Sequence, residues 1–344
     1  MKRSHKVEKL ARIYDDEILP IWSQRFGRMI LRGLDLPAKA MVLDVACATG
    51  YPALEVLRRM DDQSRLIAID PASVMLDVAR RKAGDLAGRR IFFRTESAAP
   101  RLRFASDVYD LVMCNLGLGD LPDPRRALAD FRRVAKPGGR VVVTLPLAGT
   151  WGEFFDIYRE VLVKHDRHQT LERLERHVGT FPDPEDAAAW MQSAGLDDVR
   201  VDVEEFVLLF RSAREFFFAP VIELGPLGRW KEIAGRGQEL QDIFWFIKEA
   251  IDAYFGDRAF EVTIKAGCLR GVKPHGVADQ EDDATTGRVA RVDPGPDDDD
   301  LDDEAEEDGG PIAIDSADLE MVEEPPESDE ELEAFRDPAE DDEP

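Results

Sequence analysis

Two carboxylates set the chemistry this chain could do. Asp44 stands in the apolar run 41–45 (Met-Val-Leu-Asp-Val) and Asp70 ends a second one, 65–70 (Arg-Leu-Ile-Ala-Ile-Asp). The first run reads as a buried strand of a parallel sheet. Small residues follow it at Ala46, Ala48 and Gly50, and helical periodicity starts at Ala53, Leu54, Val56 and Leu57. Small side chains let a backbone approach a ligand closely, and a helix start offers free N–H groups. A dinucleotide fingerprint places small residues at positions one, three and six, which from Ala46 are Ala46, Ala48 and Tyr51, and a tyrosine blocks that approach. The Asp44 carboxylate repels a pyrophosphate and attracts a cationic amino group. Asp70, twenty positions after Gly50, can accept both hydroxyls of a ribose, and it can equally serve as a helix N-cap.

Other chemistries find less support. Cys47, Cys114 and Cys268 are odd in number and widely spaced, with neither a disulfide framework nor a metal-ligand spacing, which fits a reducing cytoplasm. His165, His168 and His177 fall in a charged stretch and read as solvated-face residues rather than a metal site. No metal is expected.

The elements that must position these residues follow in order. Residues 6–35 carry helical periodicity divided at Pro20. Strands are expected at 91–93, 109–115, 141–145, 199–207 and 260–266. Helices are expected between them, including 124–134 and 236–255. Pro137-Gly138-Gly139 reads as a turn. Trp151, Phe154, Phe155, Tyr158 and Leu162 share a helical stripe, read first as core and second as a substrate wall through Trp151.

The chain has 344 residues and a formal charge of −26, and that charge is unevenly spread. From Asp279 onward there are 30 acidic and 3 basic residues, which leaves 41 and 42 for the body. Residues 277–344 are too acidic and too poor in aromatics to form a core and are expected to be disordered. Two less acidic islands, 312–322 and 332–335, could dock on a protein partner. The tail's charge argues against nucleic-acid binding, and no apolar run reaches the length of a membrane span. The basic N-terminus lacks an apolar signal segment.

The run Val42-Leu43-Asp44-Val45-Ala46-Cys47-Ala48-Thr49-Gly50 resembles motif I of the class I S-adenosylmethionine-dependent methyltransferases. Alanine stands at 46 and 48 where the family has glycine, and Gly50 is kept. Asp70, the region 109–115 and the stretch Arg-Val-Ala-Lys-Pro-Gly-Gly (133–139) are further landmarks in the family's order, so the resemblance covers residues 40–146. It implies an α/β fold: a Rossmann-like seven-stranded sheet, parallel with one antiparallel strand and flanked by helices. The methyltransferase domain would span 39–272, with lid helices in 1–38 and a helical insertion at about 211–256. S-adenosylmethionine would be the cofactor, held by Asp44, Ala46, Cys47, Ala48, Gly50, Asp70, Pro71, Met75, Ala98, Asn115 and Leu116. Ala98 stands where the family often has an acid against the adenine, and Glu96 is a substitute for it. Asn115 or Tyr14 would orient donor or acceptor. Arg211 and Arg214 would clamp an acidic acceptor, with a solvated helix face as the alternative. The second half is loosely similar to malonyl-carrier-protein methyltransferases in His177–Asp183, Ser193–Leu196 and Phe210–Phe217. The resemblance thus implies a small-molecule or carrier-bound acceptor. A methyltransferase-like scaffold recruited through the acidic tail is the rival.

Overall fold

The computed structural model describes residues 2–256 and 258–275. The acidic tail and its two islands lie outside the described residues. The chain opens with α1 (Lys2–Ile13), one π-helical turn (Tyr14–Ile18) and α2 (Ser23–Leu31). Alternating units follow: β1 (Met41–Val45), α3 (Ala53–Arg59), β2 (Arg65–Asp70), α4 (Ser73–Ala83), β3 (Ile91–Thr95), β4 (Tyr109–Asn115), α5 (Pro124–Val134) and β5 (Ala135–Pro146). Beyond them lie α6 (Gly152–Lys164), α7 (His168–Val178), α8 (Pro184–Ser193) and β6 (Asp197–Phe210). The short helices α9 (Ala213–Phe218), α10 (Pro220–Glu223) and α11 (Leu227–Ala234) lead to α12 (Gln238–Phe255) and β7 (Phe260–Val272).

The strands form one sheet in the order β3-β2-β1-β4-β5-β7-β6, with β7 antiparallel to both neighbours. This is the expected architecture, and its cause is visible in side-chain parity. Successive strand residues face opposite sides. Val42, Leu66, Leu111 and Met113 join a core with α2, α3, α4, α6 and the helices α9–α12. Leu43, Val45, Val112 and Cys114 join a core with α5 and α8. A strand packed on both sides must be largely apolar, which is why β1, β2 and β4 read as apolar runs.

Three expectations need correction. Lys136-Pro137-Gly138-Gly139 forms the start of β5 rather than a turn, and pairing with β4 shifts register there, between Tyr109 and Leu111. Strands β6 and β7 are much longer than 199–207 and 260–266, and they pair along nearly their whole length. His177 is half-buried against Phe155 and Phe181, and His165 stacks on Phe246 at 3.7 Å, so neither lies on a solvated face.

The region after β5 is packed around one aromatic cluster. Phe154 is fully buried, stacks on Trp230 at 4.2 Å and touches Phe155, Tyr158, Phe216 and Phe217. Those partners come from α6, α9 and α11, so one ring joins the insertion to the sheet-covering layer. Phe154→Ala should cost about 3–5 kcal/mol. At about 2–4 °C per kcal/mol for a domain of this size, thermal melting should show a single transition lowered by roughly 10 °C. A melt split into two steps would instead mean that the insertion unfolds apart from the sheet.

Candidate functional site

The loops that leave β1, β2 and β4 meet at one end of the sheet, where ligands bind in open α/β folds. Asp44 lies in the central strand, in register with Ala68 of β2 and Met113 of β4. It is 0% exposed, and neither carboxylate oxygen meets a hydrogen-bond partner. Burial pushes its pKa well above the ordinary carboxylate range, and the nearby Asp70 charge raises it further. The Ala53 amide opposes this weakly, stopping short of a formed hydrogen bond.

Asp70 has partners. One oxygen accepts from the Ala48 N–H and the other from the Ala72 N–H, both at 2.9 Å. It is therefore not the cap of α4 through a helical amide; it ties the loop after β1 to the turn after β2. Burial raises its pKa, and these two bonds hold the rise in check. Each oxygen keeps a second lone pair.

The loop after β1 is drawn in tightly. The Cys47 N–H bonds Ile69 O at 3.0 Å and the Gly50 N–H bonds Cys47 O at 2.8 Å. Ala46, Ala48 and Gly50 take φ of +58°, +45° and +93°. The alanines carry a left-handed cost that glycine would not. A side chain at Gly50 would press on Ala79 and Leu54 at 3.2 Å. In the loop after β4, Leu116 also has positive φ, +71°, and a Cβ at Gly117 would fall 2.4 Å from that of Ala46. The two loops thus touch, and position 117 has no room for a side chain.

The N-terminal segment closes over these loops through contacts that span long sequence separations. Asp15 accepts from Thr49 Oγ1 at 2.5 Å and from Lys82 Nζ at 2.7 Å. Tyr14 Oη lies 2.8 Å from Ser23 Oγ, and burial pushes its pKa up to about 12, so the phenol stays neutral. Asn115 donates Nδ2 to Ser23 O at 3.1 Å and accepts from Thr144 Oγ1 at 2.8 Å, so its amide is held at both ends. Trp22 stacks on Trp151, centroids 5.3 Å apart, with Phe206 edge-on to Trp22.

The remaining candidates are scattered. Pro71 is exposed, Met75 and Ala98 are half-buried, and Cys47 is buried. Glu96 is engaged by Arg94 at 2.7 Å and by the Arg103 N–H at 3.2 Å. Arg211 is exposed just past the end of β6, three strands from β4, and its N–H bonds the Glu215 carboxylate. Arg214 lies at the start of α9, in the helical insertion that follows β6. Asp120 was missed from sequence. It is exposed on the loop after β4, and crowding by protein, with the Asp70 charge, raises its pKa. Asp15 and Ser23 were also missed, since no local pattern marks them. A cavity of about 120 Å³ between α1 and α4, lined by Glu8, Arg12, Val78 and Arg81, holds none of these residues.

A cationic ligand that brings hydrogen-bond donors fits this set. Its positive end answers Asp44, whose oxygens have no partner, and the loops around it are built from small residues. S-adenosylmethionine is a ligand of that kind, carrying an ammonium group, a sulfonium and ribose hydroxyls.

Comparison with known proteins agrees. A family model described as a methyltransferase domain matches residues 42–139. The demethylmenaquinone methyltransferase of Renibacterium salmoninarum is 28% identical over 186 residues, covering 52% of this chain and 75% of that protein. That of Clavibacter sepedonicus is 30% identical over 205 residues, covering 56% of this chain and 81% of that protein. The solved structure of the YcgJ protein from Bacillus subtilis is 18% identical and covers 74% of this chain and 100% of that one, at a TM-score of 0.47.

The buried carboxylate has a measurable cost. A carboxyl whose folded pKa is raised favours folding in its protonated form. That advantage is complete below the unfolded pKa and is lost as pH climbs through the folded one. Asp44→Asn removes the charge, so it should raise the Tm of the ligand-free chain, and more at pH 8 than at pH 4. For about 1–3 kcal/mol of relieved desolvation the gain is at least about 2 °C. An equal or larger gain at pH 4 would mean that the carboxylate is not strained.

Proposed function

The chain belongs to the class I S-adenosylmethionine-dependent methyltransferases, and we propose that it methylates a small molecule bound between the N-terminal segment and the loops after β4 and β5. The observation that carries the site is the Asp44 carboxylate, buried and without a partner. S-adenosylmethionine supplies a methyl group on a sulfonium, ready for in-line displacement.

Asp44 and the amides around Gly50 hold the amino-acid end of the cofactor. Asp70 takes the ribose hydroxyls on its free lone pairs while keeping the Ala48 and Ala72 amides in place. Met75 and Ala98 border the base, with Pro71 at the rim. Asn115, held between Ser23 and Thr144, is a positioning residue: it joins the N-terminal segment to the end of β4 and cannot take a proton. Tyr14 stays protonated and orients Ser23.

The acceptor lies against the Trp22–Trp151 stack, with Phe206 beside it and Arg25 over the Phe206 ring at 5.5 Å. Aromatic faces next to a cation suit a flat, oxygen-bearing acceptor that develops negative charge. The relatives' names, demethylmenaquinone methyltransferases, suggest a reduced quinone as the first compound of that class to try. Carboxylic acids and carrier-bound acyl groups come second, because the exposed Arg211 is the clamp expected for them and it sits apart from this stack. Three buried free cysteines accord with a reducing cytoplasm, which we propose as the location. Among the described residues no helix is long and apolar enough to cross a membrane.

Calorimetric titration with S-adenosylhomocysteine tests the cofactor site. The chain should bind it, and Asp70→Ala should weaken binding at least tenfold, a loss of about 1.4 kcal/mol or more. Labelled-methyl transfer should then appear with a demethylmenaquinol before it does with carboxylic acids or acyl carriers. Unchanged binding by Asp70→Ala would remove that residue from the site. Transfer to an acyl carrier alone would replace the proposed acceptor class.

A further inference from the structure

The two edges of the sheet differ in charge. Residues 80–103, which end α4 and form β3, contain eight basic and two acidic residues. Arg80, Lys82, Arg90, Arg94 and Arg101 pair with Asp77, Asp15, Asp62, Glu96 and Asp130. Arg81, Arg89 and Arg103 are exposed and make no ion pair among the described residues. The opposite edge, β6, carries Asp197, Asp198, Asp202, Glu204 and Glu205 and one basic residue, Arg200; Asp202 pairs with Arg270 and Glu204 with Arg32.

The β3 edge is also apolar and open. Phe92 is 39% exposed and Leu86 38%. Leu66 N–H bonds Arg90 O, and Glu96 N–H bonds Asp70 O, so even-numbered residues of β3 turn their backbone toward β2. The odd ones turn theirs outward. Gly88 meets Ile91 O and Arg80 meets Phe93 O at 3.5 Å, which leaves the N–H groups of Phe93 and Thr95 facing out. Ala87 already bridges Ile91 on this side, so the open part of the edge runs from Phe93 onward; such an edge with arginines around it accepts an extended acidic segment by strand addition.

The chain supplies such a segment. We propose that the tail beyond residue 275 docks on the chain's own β3 edge, with island 312–322 against Phe92 and Leu86 and the flanking acidic runs over Arg81, Arg89 and Arg103. The island has Ile312 and Ile314 in alternation, and the run 297–308 precedes it. Charge selects the edge: the tail is drawn to β3 and repelled from β6. Reach permits it. The tail leaves at His275, which packs on Gly138 at the start of β5. From β5 to β3 is four strand steps, about 19 Å at roughly 4.8 Å each. Between His275 and Ile312 there are 36 residues, and a random coil of that length has an end-to-end distance of about 30–36 Å. Tethering of that kind gives an effective concentration on the order of millimolar, enough for individually weak contacts. In this arrangement the tail is occupied in cis, and the arginine face is masked from other polyanions.

The test uses the full chain with Ser328→Cys carrying a nitroxide; the native cysteines are all buried. Amide broadening at Phe93 and Thr95 should exceed that at Val207 and Leu209 of β6 several-fold. It should vanish at roughly 0.5 M salt, where surface charges are screened within a few ångströms. It should also vanish with Arg81→Glu, Arg89→Glu and Arg103→Glu combined, whose unbroadened spectrum elsewhere reports that the fold is kept. Equal broadening on both edges would overturn the proposal. So would broadening that arises only when nitroxide-labelled chains are mixed with separately isotope-labelled ones, since the contact would then be between molecules.

Discussion

A carboxylate with both oxygens buried and unpartnered is among the costliest groups a fold can hold, and Asp44 is held there by the sheet itself. Its strand is central, its neighbours in register are Ala68 and Met113, and neither side chain can donate a hydrogen bond. The chain cannot turn the side chain out without slipping the register of β1 against both β2 and β4. A second acid, Asp70, stands close enough to raise its pKa further and is itself committed to two amides. The site is thus built around negative potential that the protein leaves unanswered. Asp15, by contrast, is answered by Lys82.

Backbone conformation tells the same story independently. Ala46, Ala48, Leu116 and Trp151 all have φ between +45° and +71°. Each such residue costs on the order of 1 kcal/mol. They fall on the loops after β1, β4 and β5, three neighbouring strands that end on the same side of the sheet. The other left-handed non-glycines among the described residues are Lys39 in the turn before β1, Asp107 and Asp166 in connecting turns, and Asp198 at the register shift that opens β6; an aspartate side chain tolerates that conformation. Four of the five described left-handed residues that are neither glycine nor aspartate therefore lie on the loops around the carboxylates, Lys39 being the fifth.

Much of this was legible in the chain because the signals are local. Doubly covered strands must be apolar, so β1, β2 and β4 declare themselves, and an aspartate within or at the end of such a run stands out. Sheet order came from the family resemblance rather than from periodicity, which says nothing about which strands are neighbours. Strands β6 and β7 were cut short because β6 is an edge strand with charged and apolar residues mixed along its exposed face. Pro137, Gly138 and Gly139 read as breakers, yet the bulge between Tyr109 and Leu111 accommodates them within β5. The contacts Asp15–Thr49 and Ser23–Asn115 join residues 34 and 92 positions apart, and no pattern in either stretch announces them. His177 was misjudged because its charged sequence neighbours point outward while Phe155 and Phe181 cover its ring.

Those long-range contacts bear on how a ligand is held. In this conformation the N-terminal segment spends its polar groups on the same loops that the proposed cofactor would touch: Asp15 on Thr49, the Ser23 carbonyl on Asn115, and the Tyr51 hydroxyl on Gln24 O at 3.3 Å. A ligand entering beneath the segment exchanges some of these bonds instead of adding to them, so its measured affinity is the difference between the two sets. Asp44 is the exception. It has no bond to give up, and a cation reaching it recovers desolvation already spent in folding. Binding energy should accordingly be concentrated on Asp44, while Asp15 and Ser23 set how readily the segment admits the ligand. Lys82 links that choice to α4, whose first turn follows Asp70, so the segment and Asp70 are joined through one helix.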